Sequence, residues 1–97
     1  MTLRHFVDLY ELNQEAKPVK IATFWITEDD PSNVQMEGDE RHPILRNLYF
    51  EGIFDYKNAQ PRKLFPYDGM IFLENLRYYF KSAYFWATDV QQKIIDN

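Results

Sequence analysis

"RHFVDLYELNQEAKPVKIATFWIT", residues 4–27, decides the fold. Two runs rich in β-branched and aromatic residues, RHFVDLYEL and VKIATFWIT, flank the polar stretch NQEAKP, which is the pattern of two strands joined by a loop. The first run has a rival reading. Leu3, Phe6, Val7 and Tyr10 recur at helical spacing, and Thr2 could accept a hydrogen bond from the first turn as an N-cap. We read a β-hairpin and keep the helix as the alternative for residues 3–12. In the second run Ile21, Thr23, Trp25 and Thr27 point one way, and Ala22, Phe24 and Ile26 the other. Bulk on both faces places this strand centrally in a sheet.

Outward from the hairpin, TEDDPSNVQMEGDER (27–41) carries the turn chemistry of Asp, Pro, Ser and Asn and reads as a surface loop with at most a short strand around Val34. DERHPILRNLYFEGI (39–53) reads as a short helix with Ile44, Leu45, Leu48 and Tyr49 inward and Gly52 near its end. DYKNAQPRKLFP (55–66) is a second polar connection, with Leu64 and Phe65 bracketed by Pro61 and Pro66. The clearest helix spans 69–81. Asp68 can cap it, and Met70, Leu73, Leu76 and Phe80 recur on one face.

The segment YYFKSAYFWATDV, Tyr78 to Val90, holds six aromatic rings in thirteen residues. Tyr78, Tyr79 and Phe80 lie about 100° apart on a helix, so at least one tyrosine must lean outward. Beyond Ser82 the chain alternates as a strand would, with Tyr84, Trp86, Thr88 and Val90 on one side and Phe85, Ala87 and Asp89 on the other. Most of the six rings are expected in the core, along with Trp25, because aromatics dominate small cores. The remainder would form a partner face built on Tyr78 or Tyr84.

Ninety-seven residues make one domain, 1–97, and 27 of them are Leu, Ile, Val or Phe, enough for an independent core. The expected class is α+β, a small and mostly antiparallel sheet with one or two helices packed on one face. The chain has no cysteine, which rules out disulfides and thiolate chemistry and suits a reducing cytoplasm. Asp8 and Glu11 interrupt the N-terminal apolar residues, so neither a signal peptide nor a membrane span is expected.

Net charge is −4, with residues 1–40 at −6 and residues 41–97 at +2. That balance opposes a phosphate-tracking protein, which needs a dense basic footprint. A local alternative is a single-stranded nucleic-acid site of Arg62, Lys63, Arg77 and Lys81 interleaved with aromatics.

The chemistry-bearing residues are few. His5 and His42 lack metal-ligand spacing, although Asp39 and Glu40 precede His42 and could be drawn with it as an acid/base pair. Glu28, Asp29 and Asp30 lack the spacing of a calcium loop. Gly38, Gly52 and Gly69 are too scattered to cradle a phosphate, and Ser32 and Ser82 have no nucleophile setting. No cofactor or metal site is expected. The reading that remains is a small acidic cytoplasmic protein that binds another protein or itself, as a subunit, adaptor or inhibitor, through Tyr78 and Tyr84 with Arg77 and Lys81 beside them. The rival from another class is a small enzyme with a site assembled across a dimer around His42 or His5.

Overall fold

The computed structural model describes residues 2–38, 42–43, 54–55, 60–61 and 69–95. The opening stretch is a hairpin. Strands β1 (Thr2–Leu12) and β2 (Pro18–Thr27) pair antiparallel, with Val7 opposite Phe24 and Phe6 opposite Trp25. The rival helix over 3–12 is thereby excluded. Asn13 organises the connection, because its Oδ1 accepts from the amides of Glu15 and Lys17 at 2.9 and 3.0 Å and its own amide donates to the Lys17 carbonyl. This is the local side-chain turn chemistry for which Asn is suited. Ala16 takes a positive φ of 60° in that loop.

As expected, β2 is flanked on both sides, by β1 and by β3 (Asp30–Gly38). The expected surface loop is corrected over 30–38: the short strand allowed around Val34 is present but extends to nine residues after a turn at Glu28 and Asp29. Val34 is buried, Met36 packs against the core, and charged and turn-forming neighbours conceal this alternation in the sequence. Pro31 is tolerated because β3 is the terminal member of the described strand order, where a missing amide costs no ladder bond.

Residues 54–61 contain a small ladder of β4 (Phe54–Asp55) and β5 (Gln60–Pro61). The helix expected around residues 44–52, the pair Leu64 and Phe65, and the cap Asp68 lie outside the described residues.

Helix α1 (Gly69–Tyr79) starts where expected and ends two residues sooner than 81. Its buried face is Gly69, Phe72, Leu73 and Leu76, whereas Met70 and Phe80 are only partly covered. Phe72 thus replaces Met70 at the centre of the face. Its ring meets Phe24 of β2 edge-on, with centroids 5.7 Å apart at 61°. The core comprises these helix residues with Val7, Leu9, Ala22, Phe24, Ile26, Val34 and Phe85. It lies between α1 and one face of the sheet.

After α1, Ser82 Oγ accepts from the amides of Tyr84 and Phe85, and a tight turn leads into β6 (Phe85–Ala87). The expected strand is shorter than its pattern implied: Thr88, Asp89 and Val90 are a linker, and Gln91–Ile95 form β7. Strand β1 pairs with both, Leu9–Glu11 with β6 and Thr2–Phe6 with β7. The described architecture is an antiparallel sheet with one helix, mostly strand, consistent with the α+β class.

The expectation that most of the six rings are core is overturned. Phe85 is buried, Phe80 and Trp86 are intermediate, and Tyr78, Tyr79 and Tyr84 are exposed. Trp25 is likewise only half-buried, on the face of the sheet away from α1. The polar tips of tyrosine and tryptophan are satisfied at a surface without a buried partner.

Candidate functional site

The C-terminal end of α1 brings three of the four expected partner-binding residues together. Arg77, Tyr78 and Lys81 line a cleft of about 440 Å³ with Phe80, Trp86, Ala87 and Asp89. Arg77 Nε and Asp89 Oδ1 are 2.7 Å apart, and this ion pair also lines a second cleft of about 510 Å³ with Tyr78, Ile71, Glu74, Asn75 and Val90. Both partners of the pair are more than half exposed, 54% and 75%, so water screens it heavily. Tyr78 is 71% exposed and Tyr84 75%. Tyr84 stands at the tip of the Ser82 turn and lines neither cleft.

Trp86 and Asp89 were not singled out as site residues by sequence. Trp86 stacks on Tyr10 of β1, with centroids 5.9 Å apart at 16°. Its pairing with β1 could not be read before the register was known.

Neither histidine lines these clefts. His42 Nε2 lies 3.1 Å from Glu11 Oε2, so among the described residues its carboxylate neighbour is on β1, thirty-one positions away. Asp39 and Glu40 are outside the described residues, as are Arg62 and Lys63. His5 Nε2 is 3.5 Å from Glu28 Oε1. No group of three His, Cys, Asp or Glu able to hold a metal ion occurs among the described residues, and none of their helices is long and apolar enough to cross a membrane.

The face of the sheet away from α1 carries a second constellation. Arg4, Phe6 and Asp8 succeed one another on it along β1, and each meets a cross-strand partner: Lys93 on β7 opposite Arg4, Trp25 on β2 opposite Phe6, and Thr23 on β2 opposite Asp8. These six residues, with Lys20 and Glu37, line a groove of about 190 Å³. The Arg4 guanidinium lies over Trp25, 4.6 Å from the ring centroid. Thr23 Oγ1 donates to Asp8 Oδ1 at 2.6 Å, and Asp8 is only 9% exposed. Sequence reasoning missed this groove because it took Trp25 for core and did not foresee β7.

Comparison with protein-family models, curated proteins and solved structures finds no match for the chain.

Proposed function

We propose that the protein is a non-catalytic binding module that engages a protein partner or a second copy of itself through the end of α1. The observation that carries this reading is the exposure of two tyrosines, Tyr78 at the mouth of a cleft and Tyr84 on the turn that follows α1. Tyrosines supply large rigid contact area at low entropic cost and are enriched among the residues that dominate interfaces. The Arg77–Asp89 pair engages one of the two described cations on which a nucleic-acid reading would draw. Lack of cysteine suits a reducing compartment, and a cytoplasmic location belongs to the same proposal.

Sedimentation of the wild type against the double variant Tyr78→Ser/Tyr84→Ser tests it, with pull-down from the native cell as the companion measurement. Self-association or capture should weaken by about tenfold or more while the denaturation midpoint holds, because interface anchors act in the complex. Salt-sensitive binding to random single-stranded oligonucleotides, lost in Arg77→Gln/Lys81→Gln, would instead establish the nucleic-acid reading.

A further inference from the structure

The groove on the face of the sheet away from α1 is ordered by chemistry along its length. Its first rung is cationic, with Arg4 directly opposite Lys93. Like charges facing each other across strands are unfavourable. Among the described residues neither forms an ion pair, and Arg4 Nε is buried there without a hydrogen-bond partner. The second rung is aromatic, Phe6 opposite Trp25. The third is a nearly buried carboxylate, Asp8, opposite the hydroxyl of Thr23. Among the described residues only Oδ1 of the Asp8 carboxylate has a hydrogen bond, so Oδ2 can still accept.

We infer that this groove binds a small single-ring aromatic carboxylate bearing a hydrogen-bond donor across the ring from its acid group. The ligand carboxylate lies between Arg4 and Lys93, where it relieves their mutual repulsion. The fork of an arginine suits a carboxylate better than a point charge does. The ring sits over Phe6 beside the Arg4–Trp25 stack, using the aromatic rung. The donor meets Asp8 Oδ2. Size supports a single ring, since about 190 Å³ is below the roughly 300 to 1,000 Å³ typical of pockets for larger ligands. The groove lies on the opposite side of the sheet from the helix, so this inference does not rest on the tyrosine surface.

Titration with 4-hydroxybenzoate, followed by calorimetry and by amide chemical shifts, provides the test. Saturable binding is expected below about 10 mM, with shifts concentrated at Arg4 to Asp8, Thr23 to Trp25 and Lys93. Phenol, which lacks the anion, and cyclohexanecarboxylate, which lacks the flat ring and the donor, should each bind at least about tenfold more weakly, and benzoate, which lacks only the donor, should fall between them and the full ligand. Lys93→Gln should weaken binding by about tenfold with the fold intact, because Lys93 is exposed and has no ion-pair partner among the described residues, and Arg4→Gln by more. Lys17→Gln, in the distant β1–β2 loop, should change nothing. Equal affinity for phenol and 4-hydroxybenzoate, an unchanged affinity in Lys93→Gln, shifts confined to the Tyr78 and Trp86 end, or a response that does not saturate would each overturn the assignment.

Discussion

Thr88 satisfies both main-chain groups of Asp8. Its amide donates to the Asp8 carbonyl at 2.9 Å, and its hydroxyl accepts from the Asp8 amide at 3.1 Å. Asp8 falls between the segments of β1 that pair with β6 and β7, so neither ladder reaches it, and one threonine closes the gap. Thr88→Val should cost about 1 to 3 kcal/mol by orphaning the Asp8 amide, and Thr88→Ser much less. Urea denaturation of the two variants checks this. A loss in Thr88→Ser as large as that in Thr88→Val would show that the methyl group, which valine keeps and serine lacks, contributes as much as the hydroxyl bond to Asp8.

Phe72 and Trp86 should separate cleanly in stability. Phe72 is fully buried against Phe24, and Phe72→Ala should cost about 3 to 5 kcal/mol, the range for removing a core aromatic. Trp86 is only partly buried and has Tyr10 as its stacking partner, so Trp86→Ala should fall within the ordinary range of roughly 0.5 to 3 kcal/mol. Denaturation midpoints that rank Trp86 above Phe72 would contradict the placement of both rings.

Ala16→Gly should stabilise the protein by about 0.5 to 1 kcal/mol. An L-residue with a side chain resists the φ of 60° found there, by about 1 to 2 kcal/mol, and glycine relieves most of this while losing some chain entropy on folding. A rise in thermal midpoint is the expected readout.

Gly69→Ala should destabilise, against the usual benefit of alanine in a helix. A Cβ there would stand 2.5 Å from both the Pro31 carbonyl oxygen and Ile26 Cγ2, and the backbone of β3 cannot give way as a side-chain tip can. The expected loss is about 1 to 3 kcal/mol, the cost of overfilling a packed site. A stabilised Gly69→Ala in chemical denaturation would show that α1 can shift away from the sheet.

The hairpin and α1 were legible in the sequence because each announces itself locally, the first by two β-rich runs around Asn13 and the second by a periodic apolar face. Strand β3 was not, since it contributes only Val34 and Met36 inward among turn-forming neighbours. Strand β7 reads QQKII and is mostly exposed, so no alternation marks it. Outward tyrosines were foreseeable from the angular spacing of Tyr78, Tyr79 and Phe80. The groove was not, because it needs the Arg4–Lys93 pairing, which spans almost the whole chain, in addition to the hairpin pairing of Phe6 with Trp25.

Those same pairings govern the order of assembly. The β1–β2 edge closes across a five-residue loop, whereas the opposite edge of β1 requires Thr2 to find Ile95 and Leu9 to find Ala87. Contacts so remote in the chain slow folding, since loop closure precedes any reward. During synthesis β1 therefore zips to β2 early and shows a row of unpaired amides and carbonyls on its other side until residues 85–95 emerge. A ribosome that pauses in the middle of the chain leaves a strand edge able to recruit a neighbouring nascent chain.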